Sequence, residues 1–406
     1  MSLRLVGRKF IGFEKALEQQ ARSFRDAGGD NVEMEFLDVE DLYERMISND
    51  GCAKGESDIM MVCTDWYPTL CAANALVPLN DFINQNPPPD WPDGWTDSML
   101  QLQTSGGRIL GLPYHDGPEM FIYRRDLFED ESEKNSFRER SGRALELPKN
   151  WTEFLEVSQH FTRPDDGLHG TLLATFPDAH NIIYDFFIQL WTRGGEVLDA
   201  DDGRVAFNSK AGVEALQFEK DLIHTHKVVP PNCAEIDSVE SGNVFSAGKV
   251  AMMVNWTGFA SFADAHESSQ VRGKVGCGQI PAGDGPNGSS CSLNIYWCLS
   301  VTAGSQNQQA AYDFLRHCSH PEMDIITSEE GGIGVRRSTW IEFANRGVAG
   351  YSIMEELHAN ARHQPQVPSF GAMTEILNEH LNRALNEDGD PAKELNAAAE
   401  KCQKLL

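Results

Sequence analysis

Five aromatic residues or pairs with polar neighbours recur where strands end and loops begin. They are Asp65-Trp66-Tyr67, Tyr114-His115-Asp116, Phe176-Pro177-Asp178 with His180, Asn255-Trp256-Thr257, and Tyr296-Trp297. An aromatic face packs on the apolar C–H side of a sugar ring, and a neighbouring Asp or Asn takes the hydroxyl hydrogen bonds. In open α/β sheets such ligands lie beyond the carboxyl ends of strands. Any one such pair is ordinarily core plus cap; five together point to a cleft for a sugar or polyol. Motifs for bond-making chemistry are missing: there is no P-loop, GxSxG, HExxH or GxGxxG, and Gly276-Cys277-Gly278 fails at the third glycine position. The histidine pairs His224/His226 and His317/His320 fall at or just past helix ends, where histidine serves as a terminal cation. Carboxylates are too plentiful for any one pair to be singled out as an acid/base couple.

The elements that must carry these residues alternate between two periods. Phe13, Leu17, Ala21 and Phe24 have helical spacing, closed by Gly28-Gly29. Val32, Met34 and Phe36 alternate as a strand; Asp38 is a candidate cap for the helix after it; Ile59 to Cys63 is a continuous apolar strand. Such strands separated by helices predict a parallel sheet covered on both faces. Pro78 to Trp95 reads as a loop and Glu129 to Arg140 as a solvated insertion. Helices are expected around Trp151–Phe161, Ile182–Trp191 and Val213–Ile223, with Asn208 or Ser209 as cap of the last. Strands are expected at Val250–Val254, Val275–Ile280 and Ile295–Val301, and Asp390-Pro391 opens the final helix.

Charge limits the partners. With 34 Lys+Arg against 61 Asp+Glu in 406 residues, the net charge is −27, and no basic cluster exists to clamp nucleic acid. No apolar run approaches the roughly 18 residues of a membrane span. Nine cysteines, an odd number without CxxC, fit buried thiols rather than a disulfide framework or a zinc site. No metal or cofactor is expected. One bridge, between Cys277 and Cys298, is conceivable if their strands are neighbours.

In this order the features resemble the family 1 extracellular solute-binding proteins of ABC importers, which include maltose-binding protein. The resemblance covers about residues 4 to 405. It is carried by Glu56-Ser57-Asp58 running to Asp65-Trp66, Ala75-Leu-Val-Pro78-Leu-Asn-Asp81, and Gly107-Arg-Ile-Leu-Gly111-Leu-Pro113-Tyr114. It continues through Ile122-Tyr123-Arg-Arg-Asp126-Leu-Phe128, Pro148-Lys-Asn-Trp151-Thr-Glu-Phe154, and Phe245-Ser-Ala-Gly248-Lys-Val-Ala251-Met252. Lys274-Val-Gly276 to Pro281-Ala-Gly283 and Ala310-Ala311-Tyr-Asp-Phe314-Leu315 complete it.

The resemblance implies an α/β fold: a two-lobed, periplasmic-binding-protein-like clamp, each lobe a mainly parallel sheet flanked by helices. Residues 1–113 and 273–324 would form the first lobe, 114–272 and 325–406 the second. The lobes would be joined by a hinge that the chain crosses several times, and they would close on a ligand. Carried over residue by residue, the ligand contacts would be Asp65 and Trp66; Tyr114, His115, Asp116 and Glu119; Asp178 and His180; Trp256; Asn294; Arg336; and Arg8. The implied partners are a small sugar, oligosaccharide or polyol and the membrane subunits of an ABC permease. The implied state is a monomer, and the implied location periplasmic or extracellular. The alternatives are a carbohydrate-active enzyme and a sensory binding subunit that reports to a receptor.

Overall fold

The computed structural model describes residues 2–406; Met1, with which the expected first lobe begins, lies outside it. The strands longer than a bridge pair are β1 (Ser2–Arg8), β2 (Asn31–Leu37), β3 (Ile59–Cys63), β4 (Leu112–His115), β5 (Glu119–Arg124), β6 (Met252–Trp256), β7 (Val275–Gly278) and β8 (Trp297–Val301). Contacts divide the chain into two units. Unit 1 is Met1–Pro118, Asn294–Gly347 and Gln366–Pro368; unit 2 is Glu119–Leu293, Val348–Pro365 and Ser369–Leu406. The chain passes between them at 118/119, 293/294 and 347/348, and again at 365/366 and 368/369, compared with the expected crossings near 113, 272 and 325. Strand pairing explains the offsets. Residues 112–115 pair with β8 inside unit 1, and 275–278 pair with β5 inside unit 2.

Unit 1 is built on a five-stranded sheet in the order β2-β1-β3-β8-β4. β1 runs parallel to β2 and β3, whereas β8 is antiparallel to both β3 and β4. The sheet of unit 2, β6-β5-β7, is antiparallel throughout. The expectation of mainly parallel sheets is therefore corrected: these are mixed and antiparallel. The local reading could see βα alternation but not strands that enter a sheet from distant parts of the chain.

The helix Ile11–Asp26 covers the unit 1 sheet with Phe13, Ala16, Leu17, Ala21 and Phe24, the 3.6-residue stripe of an amphipathic helix. Buried Gln20 on the same face donates to the Met323 carbonyl at 2.9 Å and to Thr327 Oγ1 at 3.0 Å, tying this helix to Pro321–Glu329. Asp58 fastens β1 to the chain around β8, accepting from Arg4 N–H (2.9 Å), Ser305 Oγ (2.7 Å) and Asn307 Nδ2 (3.1 Å). In unit 2 the helix Asn181–Thr192 is buried at every residue except Asp185 and packs between Lys210–His224 and Phe370–Asn386.

Several local expectations change. Asp38 precedes Val39–Tyr43 but makes no side-chain cap; its carboxylate lies 3.6 Å from Lys9 Nζ instead. Ser209 likewise caps only through its backbone. The Pro78–Trp95 loop contains a helix, Asn80–Gln85. The charged 129–140 stretch is a true helix, Glu131–Ser141, because Asp130 accepts the Ser132 and Glu133 amides at 2.9 Å each. Asp390 caps the last helix through Lys393 N–H at 2.9 Å, as the sequence suggests. All nine cysteines are free. Cys277 lies in β7 and Cys298 in β8, strands of different sheets, so the conceivable bridge between them is absent.

Candidate functional site

In unit 1 the candidate residues converge on one edge of the sheet. β1, β3 and β4 run in the same direction, so their carboxyl ends share an edge with the amino end of antiparallel β8. Arg8 ends β1, Cys63 ends β3, His115 ends β4 and Trp297 opens β8, paired in register with both Cys63 and His115. After Cys63 the chain turns tightly through Thr64–Trp66. Thr64 N–H donates to the Tyr296 carbonyl at 3.0 Å, and Tyr296 N–H returns to Thr64 Oγ1 at 3.2 Å. This exchange fixes where Asp65 and Trp66 stand.

Trp66 is wedged edge-on between Tyr43 (5.4 Å between centroids) and Trp297 (5.3 Å). The Arg8 guanidinium lies over the Trp297 ring at 5.1 Å, within cation–π range. His115 packs edge-on to Phe13 at 4.7 Å. Its Nδ1 accepts the Ile333 amide at 2.8 Å, which leaves the proton on Nε2. Burial and the nearby Arg8 charge push its pKa down to about 3, so this imidazole is neutral. Asp116 is buried, and its amide donates to the Ile333 carbonyl at 2.9 Å. Beside this edge Phe10 and Ile11 stay exposed, at 39% and 61%.

In unit 2 the aromatic cluster is Trp256, His180 and Tyr184. Trp256 ends β6 with its ring perpendicular to Tyr184 at 5.8 Å and tilted to His180 at 5.9 Å. Its backbone is held by Asn255, which accepts the Trp256 amide at 2.8 Å and donates to Ser241 Oγ at 2.6 Å. Its indole N–H reaches Asn181 Oδ1 at 3.4 Å. Asp178 accepts the His180 amide at 3.0 Å in a tight turn whose Ala179 has φ +57°. Asn378 anchors that turn from the helix Phe370–Asn386, accepting Ala179 N–H (3.1 Å) and donating to the Pro177 carbonyl (2.9 Å). Asp178 thus shapes the loop, while burial raises its pKa despite His180.

Four expected contacts stand apart. Tyr114 is buried against the helix Ile11–Asp26, its hydroxyl 3.2 Å from Gln20 Oε1. Arg336 is buried and engaged: it donates to the carbonyls of Ser319 (2.8 Å) and Pro89 (3.1 Å) and to Asp90 (2.6 Å), and lies 4.5 Å over Trp95. Both therefore serve the unit 1 core. Asn294 is buried with neither side-chain atom hydrogen-bonded among the described residues. Glu119 opens β5 opposite Trp256, and both its carboxyl oxygens are likewise unbonded. Burial and nearby Asp185 push its pKa well above the usual carboxylate range. Trp297, Tyr43 and Tyr184 join the clusters without having been singled out as contacts. Trp297 carried a signal as half of the Tyr296-Trp297 pair, and Tyr184 lies one helical turn beyond His180. Of the histidine pairs, His224 Nε2 lies 2.7 Å from the Leu385 carbonyl and His317 packs on Phe24, which are structural roles. Among the described residues no group of three or more His, Cys, Asp or Glu could hold a metal, and no helix is long and apolar enough to cross a membrane.

Two α/β units sharing one chain, each with aromatic and polar side chains gathered at strand ends, define a class of binding protein. The profile of the bacterial extracellular solute-binding proteins matches residues 11–325, and the chain belongs to that family. Its fold matches the maltose-bound MalE3 of T. maritima with a TM-score of 0.85 at 21% identity, covering 100% of both chains. It also matches a solute-binding protein of Agrobacterium radiobacter in complex with ribitol, at TM-score 0.85 and 22% identity over 100% and 99% of the two chains. The maltotriose-binding protein of Thermus thermophilus follows at 0.77 and 20%, covering 99% of each. Among curated proteins, a probable ABC transporter-binding protein of Deinococcus radiodurans is 26% identical over 223 residues, 54% of this chain and 49% of its own. An arabinooligosaccharide-binding protein of Halalkalibacterium halodurans is 22% identical over 276 residues, 66% of this chain and 55% of its own. The chain thus spans about half the length of the curated relatives it matches.

Proposed function

We propose that this protein binds a sugar, oligosaccharide or related polyol without transforming it and delivers it to an ABC permease. The observation that carries the reading is the unit 1 sheet edge, where Trp66 and Trp297 stand together beside Asp65, Asp116 and Arg8. Aromatic faces suit the apolar side of a pyranose or an extended alditol, and the acids and Arg8 suit its hydroxyls. The Trp256 cluster of unit 2 offers the same chemistry. Asp65, Trp66, His115, Asp116, Trp256 and Arg8 are the contacts we favour; Tyr114 and Arg336 support the fold. The ligands bound in the solved relatives, maltose, ribitol and maltotriose, favour the same ligand class. We further propose that the protein acts as a monomer outside the cytoplasmic membrane, as its family's description implies.

A thermal-shift screen against sugars, alditols and oligosaccharides tests the reading, since a ligand that binds only the folded state raises the melting point by mass action. A shift with the ligand recovered intact supports it. Turnover of the ligand, or no shift across the panel, overturns it.

A further inference from the structure

Arg8 is a cation without a counter-ion. It is half-buried at the end of β1, and among the described residues its guanidinium makes no hydrogen bond and no ion pair; its one contact of note is the face of Trp297 at 5.1 Å. Burial lowers its pKa, although Glu40 and Cys63 oppose that shift from farther off. Guanidinium offers five donors in a planar fork that matches a carboxylate. Leaving it half-desolvated and unpaired is costly unless a ligand completes it.

The neighbouring groups define what that ligand carries. His115, close enough for Arg8 to depress its pKa, is neutral and presents its Nε2–H with no partner among the described residues. It adds a donor and no charge. Lys9, the next residue, is exposed and paired with Asp38 at 3.6 Å, and Arg336 is held in the unit 1 core by Pro89, Ser319 and Asp90. One full positive charge is therefore available at this edge, set against the acids Glu40, Asp65 and Asp116. The Arg8 fork suits a single carboxylate, and the surrounding acids oppose a dianionic phosphate.

We propose that the ligand is a carboxylated carbohydrate, a uronate- or aldonate-type sugar acid alone or as one unit of an oligosaccharide, with its carboxylate on the Arg8 fork and His115 Nε2–H. Trp297 holds the guanidinium plane in place, as a positioning residue. This inference rests on the carbohydrate reading above and narrows its ligand class.

The test is titration calorimetry on the full chain with hexoses, alditols and di- to tetrasaccharides, each measured beside its carboxylated and its phosphorylated counterpart. The carboxylated member should bind about 10- to 100-fold tighter than its neutral partner, the range of a charge-assisted bidentate contact. Arg8→Met should remove that difference by weakening the carboxylated member more than its neutral partner, and Arg8→Lys should restore only part of it. Should Arg8→Met fail to fold, the wild-type comparison and Arg8→Lys still decide. Neutral members binding as tightly as acids would overturn the proposal and leave the carbohydrate reading standing. A preference for the phosphorylated members would overturn the single-charge argument and with it the proposal. Binding of no member at all would overturn both.

Discussion

Replacing Arg336 by Met separates a structural cation from a ligand contact. Family resemblance places Arg336 among the binding residues, whereas the structure engages its guanidinium inside unit 1. Removing it strips donors from the Pro89 and Ser319 carbonyls, at about 1–3 kcal/mol for each acceptor left buried. The stack on Trp95 adds about 0.5–2 kcal/mol. The Asp90 pair adds little, about 0–1 kcal/mol, because that carboxylate is 68% exposed. The losses overlap, since water and the Met side chain refill part of the space, so the expected total is about 3–5 kcal/mol, the usual cost of breaking a buried cationic contact. For a domain of 150–250 residues, at about 2–4 °C per kcal/mol, this lowers the melting temperature by roughly 6–20 °C. Thermal unfolding reads the stability, and calorimetry with the carbohydrate found by the screen reads the affinity below the new melting point. The expected pair of results is a large drop in stability with affinity within about threefold. An unchanged melting temperature together with lost binding would refute the structural assignment and return Arg336 to the site.

Other perturbations test separate parts of the argument. Trp256→Ala should weaken carbohydrate binding by about 1–3 kcal/mol, as loss of a buried aromatic anchor does; an unchanged calorimetric affinity removes Trp256 from the site. Asp185 has its pKa pushed up to about 8 by burial, against about 3.9 in the unfolded chain. The folded state therefore keeps a proton that the unfolded state has lost. The stability this represents is fully present below about pH 4, falls between about pH 4 and 8 by up to about 1.4 kcal/mol per pH unit, and then levels off. Asp185→Asn should flatten the urea-midpoint profile over that window, and a variant whose profile runs parallel to wild type would refute this. Gly111→Ala would place a Cβ 2.2 Å from the Tyr67 hydroxyl and 2.6 Å from Ser300 Oγ, so a loss of about 1–3 kcal/mol is expected by denaturant titration. Thiol titration of the native protein should find one fast group, half-buried Cys71 beside Arg108, and all nine only after unfolding; Cys71→Ser should abolish the fast phase.

The parts of the fold legible in the sequence were those set by local periodicity. The stripe of Phe13, Leu17, Ala21 and Phe24 and the unbroken apolar run of Ile59–Cys63 place a helix and a buried strand because burial alone dictates both patterns. Sheet direction was not legible, since the partner of β3 on one side is β8, more than 200 residues later. The site divides in the same way. Asp65 and Trp66 come just after a strand and Trp256 ends one, so position at the end of an apolar run draws attention to them. Tyr114 and His115 are adjacent in one strand, whose successive residues face opposite sides, and Tyr114 is buried with its hydroxyl by Gln20, a distinction the linear sequence does not draw. Arg336 was not decidable from the sequence, because a cation near a glycine-rich turn reads alike whether it meets a ligand or a buried carbonyl. The lack of partners at Arg8 belongs to three-dimensional bookkeeping that no linear pattern records.

β8 lies inside the unit 1 sheet, between β3 and β4, yet it is the last of the eight strands to leave the ribosome. Until Val301 emerges, β3 has no neighbour on one side and β4 has no sheet to join. A nascent chain therefore carries an open, apolar strand edge through the synthesis of the whole Glu119–Leu293 segment. Such an edge is the usual template for mispairing between chains. The strand order thus keeps the unit 1 sheet unfinished until β8 has been made. A chain cut short before residue 297 should aggregate rather than yield a soluble first unit.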